Sequence, residues 1–244
     1  RPFFPSIQTL SGKVSLAGGL GGTLSKPLFY GNANLKNGAL AIVGVPMPIS
    51  DVDATVNIRG TKARLDGRFM GGEGHGVLYG EMDWAEELYA RLGVFGENLT
   101  VSQPPLVTAQ ISPELEVIIR PFQKFVDAQG VVSIPSATIR PPEATADIVT
   151  ESPDVSVIDR RITGNIDQIL SRAKPWDINA NIGVDLGNEI EFRGFGAVLP
   201  LAGAIHLTQS GQGAMQALGV VQVSKRTKID VIGQNLDLNY AQIR

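Results

Sequence analysis

The sequence contains no cysteine and only two histidines among its 244 residues. The absence of cysteine excludes disulfide bonds, cysteine-ligated zinc and a thiol nucleophile. Charged residues make up 18% of the chain, the formal net charge is −3, and charges of one sign form no block. We therefore expect no nucleic-acid partner and no electrostatic surface for anionic lipid headgroups.

The histidines and their neighbours do not predict catalysis. Residues 72–76 read Gly-Glu-Gly-His-Gly, which lacks the spacing of a dinucleotide-binding loop. Alternation would place His75 on one face with Glu73, Glu81 and Asp83, and a solvated strand face explains that cluster without a metal ion. No nucleophile stands beside a histidine and an orienting acid. We predict a protein that is not an enzyme and that has no cofactor and no metal site.

Long apolar runs are also missing. The longest stretch without charged or strongly polar residues is the 11 residues 195–205, which contain Pro200. This is far short of the roughly 20 residues that cross a bilayer. The chain opens at Arg1 without methionine and ends at Arg244 within an alternating pattern. We therefore expect residues 1–244 to be a piece of a longer protein, with no internal domain boundary.

Alternation of apolar and polar residues dominates what is present. It runs through residues 177–186, and residues 51–59 repeat it. A period of two sends successive side chains to opposite faces of a β-strand, so each of these segments predicts a strand with one dry face. Residues 63–69 continue the alternation after Gly60-Thr61, which predicts a short hairpin turn.

Turn signals separate the predicted strands at intervals of roughly ten residues, a spacing typical of an all-β meander. Asn-Gly and Gly-rich signals lie at residues 36–38, 71–74, 186–188 and 211–213. The glycine run 18–22 lacks the spacing of a phosphate-binding loop and is also interpreted as a turn.

Three segments depart from the strand pattern. Residues 84–92 and 121–128 fit a helical template as well as a strand. Residues 152–175 have a weak apolar pattern, and we expect an exposed or disordered loop there.

The predicted strands pose a physical problem, because an apolar sheet face must be covered and the sequence offers no suitable helices. Roughly 17 candidate strands at about 4.8 Å spacing would form a ribbon some 80 Å wide. Such a ribbon can close into a barrel, pack as a sandwich, or fold lengthwise into a trough with a dry interior. We predict the third: an all-β, antiparallel, meandering ribbon folded into a U-shaped trough with an apolar interior.

The candidate site is the lining of that trough. Its members are apolar residues on the dry side of the predicted strands, and they suit either lipid chains or a client strand. The predicted lining residues are Val52, Ala54, Val56, Ile58, Leu65, Phe69, Leu115, Val117, Ile119, Val132, Ile134, Ile178, Ala180, Ile182, Val184, Leu186, Ile190 and Phe192.

Several phrases resemble the C-terminal domain family of TamB. They read VVSIPSATIRP at 131–141, SPDV at 152–155, FRGFG at 192–196 and VIGQNL at 231–236. Each phrase is short, but their order and the placement of glycine and proline resemble this family across essentially the whole chain. We expect the end of the family domain to lie beyond Arg244.

The resemblance implies a long U-shaped β-ribbon with an apolar groove. TamB is the inner-membrane-anchored subunit of the translocation and assembly module of Gram-negative bacteria. The resemblance therefore also implies a periplasmic location, a partnership with the outer-membrane barrel protein TamA through the C-terminal region, and a role in outer-membrane biogenesis. It implies no catalytic residues.

Two functions fit an apolar trough, and a third would fit a closed β-domain instead. The trough can pass phospholipid acyl chains between the inner and outer membranes. It can instead hold nascent outer-membrane protein strands, including those of autotransporters, for insertion with TamA. A closed barrel or sandwich would be a passive scaffold or a sugar-binding module, although 6% aromatic residues is little for sugar binding.

Overall fold

The computed structural model describes residues 7–23, 26–42, 46–142, 175–194, 197–225, 227–231, 234–238 and 241–243. These ranges contain β-strands and no helix, so they hold no helix able to cross a membrane. The all-β prediction is confirmed. The loop predicted at 152–175 lies, except for its last residue, outside the described residues.

The strands follow one another along the chain. They are β1 (Ile7–Thr23), β2 (Lys26–Ile42), β3 (Ile49–Gly60), β4 (Lys62–Gly71), β5 (Gly74–Asp83), β6 (Tyr89–Glu97), β7 (Leu99–Gln103), β8 (Val107–Arg120), β9 (Phe125–Ile139), β10 (Asp177–Gly194), β11 (Ala197–Gln209), β12 (Gln216–Val223), β13 (Thr227–Val231), β14 (Gln234–Leu238) and β15 (Gln242–Ile243).

All of these strands belong to one open sheet. Its order is β1-β2-β3-β4-β5-β6-β8-β9-β10-β11-β12-β15, with β7 beside β8 and the β13–β14 hairpin joined to β11. The described strand pairs are antiparallel except β9 with β10, which are parallel. The prediction of an antiparallel meander is therefore wrong at this one pair. Because the two strands are parallel, Phe125 at the start of β9 pairs with Asp177 at the start of β10.

The helical alternatives for residues 84–92 and 121–128 are wrong. β6 begins at Tyr89 and β9 at Phe125, and tight connections precede both strands. The Trp84 amide donates to the Thr61 carbonyl at 3.0 Å, and the Lys124 amide donates to Pro121 at 3.1 Å. In both segments, the apolar spacing that also suits a helix belongs to a short loop and to the first residues of the strand that follows it.

The turn signals divide into two kinds. Residues 71–74, 211–213 and Gly60-Thr61 form turns between strands, as predicted. Residues 36–38 and 186–188 lie inside β2 and β10, where the register shifts as in a β-bulge. The prediction of turns there is wrong, because a bulge uses the same residues in left-handed conformations that a turn does. Asn37, with φ 50°, is an example.

The irregular positions form a line across the sheet. The register shifts at Asn37 in β2, at Asp51 in β3 and at Gly187 in β10, and Asn98 separates β6 from β7 at the same level. Asn37, Asp51 and Asn98 each have φ 50°. Each bulge bends its strand, and bulges in line bend a sheet along one direction. We call this line the crease.

The tightest packing lies at the crease. Val52, Phe69 and Leu99 form a buried cluster there, and partly buried apolar residues pack against it: Leu35, Met47, Ile49, Leu78, Val94 and Ile111. The Ser102 amide in β7 donates to the Pro46 carbonyl at 2.8 Å, and β7 also contacts β4 and β5, which are not its hydrogen-bonded neighbours. The apolar face is therefore the inner side of the bend, as a trough requires.

On the opposite face of the crease, Asp53 connects neighbouring strands by hydrogen bonds. Its carboxylate accepts hydrogen bonds from the Asn37 backbone amide at 3.2 Å, from Arg68 at 3.0 Å and from Lys36 at 3.2 Å. These donors lower the pKa of Asp53 from 3.8 to about 2, with the Asn37 amide the largest cause. One carboxylate thus links β2, β3 and β4 where their strands bend.

Candidate functional site

The candidate site is the apolar face of the sheet. All eighteen residues predicted for the lining fall on described strands, and the register aligns residues of that face in rows perpendicular to the strands. One row crosses eleven strands and reads Val14, Leu35, Ala54, Gly67, Leu78, Val94, Leu115, Gly130, Ile182, Leu207 and Ala217. We call it the long row.

A second row runs beside the long row. It reads Leu16, Ala33, Val56, Leu65, Gly80, Leu92, Val117, Ala128 and Ala180. Neither row contains an Asp, Glu, Lys, Arg or His. At about 4.8 Å between strands, the ten steps of the long row extend over about 48 Å. The two rows form a continuous uncharged apolar strip.

The predicted lining residues differ in burial. Four of them are buried: Val52, Phe69, Ala180 and Ile190. Ile178 is 37% exposed. The remaining members are half-buried, namely Ala54, Val56, Ile58, Leu65, Leu115, Val117, Ile119, Val132, Ile134, Ile182, Val184, Leu186 and Phe192. Half-buried apolar side chains on the inner side of a bend leave a surface that another apolar chain can cover.

Sequence reasoning missed the most exposed part of this face. On β1, Val14, Leu16 and Leu20 are 66%, 78% and 76% exposed, and Phe29 on β2 is 38% exposed. Leu16, Leu20 and Phe29 line an open depression of ≈ 590 Å³. The interpretation of residues 18–22 as a turn is wrong, because they lie inside β1 and pair with β2. Glycine supplies no side chain to the alternating pattern, so this strand was not recognised. Leu16 and Leu20 on either side of Gly18 were the available signal.

The inner faces of β11 and β12 were also missed. Ile205 and Leu207 on β11 pair with Val184 and Ile182 on β10, and Leu207 pairs in turn with Ala217 on β12. The signal for β11 was weak, because residues on both of its faces are mostly apolar between 197 and 205.

The opposite face carries ion pairs together with exposed apolar side chains such as Val77 and Phe95. Arg193 and Glu191 lie 2.6 Å apart, and His75 lies 3.4 Å from Glu97. The carboxylates and histidines among the described residues include no group of three or more placed to hold a metal ion. Among the described strands, the apolar face therefore offers an extended surface without charged groups, whereas the opposite face mixes apolar and charged side chains.

These features define a class: an open all-β sheet, bent along a line of bulges, with a continuous uncharged surface on its inner side. A family model described as the TamB C-terminal domain matches residues 61–244. The chain belongs to that family, which confirms the resemblance drawn from the sequence.

One relative is similar along most of the chain. The translocation and assembly module subunit TamB of Haemophilus influenzae is 24% identical over 230 residues, which are 90% of this chain. The chain spans 17% of the length of that relative. No solved structure matches the chain.

Proposed function

We propose that the apolar face carries phospholipid acyl chains between the inner and outer membranes, with their headgroups left in water. The observation that supports the proposal is the long row, which crosses eleven strands without a charge. A charge along the route would have to be desolvated each time an acyl chain passed it.

The energetics suit passage rather than storage. Burying a chain of about 16 carbons gains on the order of 10 kcal/mol relative to water, at about 0.8 kcal/mol for each CH₂. The same chain gains about as much within a bilayer, so a lipid on the apolar face is neither trapped nor expelled. The half-buried state of Val56, Leu65 and Ile182 leaves them free to be covered in this way.

The cellular setting is part of the same proposal. The matched relative is named as a subunit of the translocation and assembly module. We place this chain in the periplasm, within a longer protein anchored in the inner membrane of a Gram-negative bacterium. Its partner there is the outer-membrane barrel protein TamA, and its role in outer-membrane biogenesis is non-enzymatic.

A free strand edge favours a second function. β12 pairs with β15 only at Val221 and Gln222, which leaves residues 216–220 without a second neighbour among the described strands. β12 contains no charge and no proline, the residues that usually protect an edge from pairing. A nascent outer-membrane strand can add to such an edge by β-augmentation. In this alternative the protein holds client strands for insertion together with TamA.

Photocrosslinking from neighbouring positions distinguishes the two functions. A photoreactive residue at Ile182 lies on the long row, and one at Asn181 lies on the opposite, exposed face of the same strand. We expect lipid adducts at Ile182 and none at Asn181 after irradiation of living cells. Protein adducts at Ile182 would instead support the client-strand alternative, and the absence of adducts at both positions would contradict both functions.

A further inference from the structure

Exposed apolar side chains also adjoin one another on the face opposite the apolar rows. Val77 on β5 pairs with Phe95 on β6, and Phe95 pairs with Glu114 on β8. Glu114 pairs in turn with Val131 on β9. Tyr79 is two residues from Val77 on the same strand, so its side chain points to the same face. We call these apolar and aromatic residues, each between 40% and 48% exposed, the outer patch: Val77, Tyr79, Phe95 and Val131.

Glycines make the outer patch flat. The Tyr79 ring lies across Gly93 of β6, in the space that a side chain at that position would fill. Gly183 of β10 pairs with Val131 and adds no side chain beside it. Exposed apolar residues that form one surface with a polar rim are typical of protein–protein contacts, whereas isolated ones are not. The outer patch therefore suits a segment of another protein.

Carboxylates lie beside the outer patch. Phe95, Val131, Glu97 and Glu114 line an open depression of ≈ 500 Å³. The carboxylate of Glu114 has no ion pair or hydrogen bond within the described part of the chain. That of Glu97 lies 3.4 Å from His75, and both side chains are exposed. The depression thus combines an apolar wall with acidic groups that face water.

The cations nearest the outer patch already have acidic partners. Arg68, which pairs with Val77, donates to Asp53 at 3.0 Å. Arg91 lies 3.7 Å from Glu116. The carboxylates of the depression are therefore available to a cation from outside the chain.

Charge also differs between the two halves of the sheet. β1–β4 contain seven Lys or Arg and three Asp, whereas β5–β9 contain two Arg and six Asp or Glu. The outer patch lies within the acidic strands. Complementary charge steers a partner toward such a surface, and like charge repels other partners. The surroundings of the patch therefore favour a positively charged partner.

We infer that the outer patch binds a positively charged, amphipathic segment of another protein. Apolar side chains of that segment cover Phe95 and Val131, and a lysine or arginine enters the depression to pair with Glu97 and Glu114. The Phe95 ring favours the same occupant, because the face of an aromatic ring attracts cations. This surface is on the face opposite the apolar rows, so a partner here leaves those rows uncovered.

Peptides of designed composition test this inference on the 244-residue chain. The probe is a fluorescently labelled peptide of two Lys-Lys-Val-Val repeats, which in extended form presents lysine and valine on each of its sides. The matched peptide has glutamate in place of lysine. Fluorescence anisotropy measures their affinities for the unmodified chain and for Phe95→Ser, Glu114→Gln and Tyr30→Ser. Tyr30 is the control, because it is also exposed on this face but pairs with Arg59.

We expect the lysine peptide to bind and the glutamate peptide not to bind. Phe95→Ser should weaken binding about tenfold and Glu114→Gln about threefold, whereas Tyr30→Ser should change it less than about twofold. No binding, equal binding of the two peptides, or equal weakening by Phe95→Ser and Tyr30→Ser would overturn the inference. Dimerisation that Phe95→Ser abolishes would assign the patch to a second copy and would also overturn it. Two variants alter the patch, so the test stands even if one fails to fold.

Discussion

The crease and the β1–β2 region use the same apolar face in different ways. At the crease, Phe69 and Leu99 are 6% and 2% exposed, because the bent sheet brings β7 against β4 and β5. On β1, Leu16 and Leu20 are 78% and 76% exposed. An unbroken apolar pattern therefore serves stability where the sheet bends and leaves a surface for a partner where it stays open.

The largest expected effect separates these two regions by stability. Phe69→Ala should lower the free energy of unfolding by about 3–5 kcal/mol, because it opens a cavity in the buried cluster. Leu16→Ala should change it by no more than about 0.5 kcal/mol, because the side chain is mostly in water already. Denaturant unfolding of both variants measures the difference. Equal losses would show that the open region also packs as a core.

The next effect separates the regions by function. Ile182→Asp and Val56→Arg each place a charge on an apolar row, and we expect either to abolish outer-membrane biogenesis at unchanged protein level, because a charge obstructs an acyl chain. Asn181→Asp, on the exposed opposite face, should have no effect. The measurement is growth of cells that depend on the variant. Equal growth defects from the apolar-face variants and from Asn181→Asp would count against transport of acyl chains along the apolar face.

A smaller effect concerns the carboxylate that fastens the crease. The pKa of Asp53 falls from 3.8 to about 2 on folding, so its contribution to stability is present above about pH 3.8 and is lost as the pH falls through about 2. The unfolding midpoint of the Asp53→Asn variant should therefore decrease less than that of the parent chain as the pH is lowered through this range. An unchanged pH profile would mean that the Asn37, Arg68 and Lys36 contacts do not stabilise the bend.

The smallest effect tests the free edge of β12. Leu218 is 67% exposed, and Leu218→Lys should alter the free energy of unfolding by less than about 0.5 kcal/mol. If the β12 edge accepts client strands, the added charge should reduce the protein adducts formed by a photoreactive residue placed on β12. Lipid adducts at Ile182 should stay the same. A loss of lipid adducts in this variant would indicate that the edge and the apolar face act together.

Much of the fold follows from local alternation. In β3, β4 and β10, apolar and polar residues contrast strongly at period two, so the strands and their faces follow from the sequence, as does the turn at Gly60-Thr61. The bulges do not follow, because Asn37-Gly38 carries the same local signal as a hairpin. The neighbouring strands decide whether the chain reverses or continues there.

The site shows the same division. Ile182 and Val56 were predictable because polar neighbours mark the other face. Leu16 and Leu20 gave a weaker signal, because the glycines between and after them interrupt the contrast between apolar and polar residues. The parallel pairing of β9 and β10 also escapes local reasoning, because it joins residues that are far apart in the sequence, such as Phe125 and Asp177.

The central claim is that one uncharged path crosses eleven strands of the sheet. The most direct test places photoreactive residues at three points on the long row, Val14, Leu78 and Leu207, with controls one position away on the opposite face at Ser15, Tyr79 and His206. The account predicts lipid adducts at all three row positions and at none of the controls. Adducts confined to one end of the row, or equal at the controls, would contradict a continuous path.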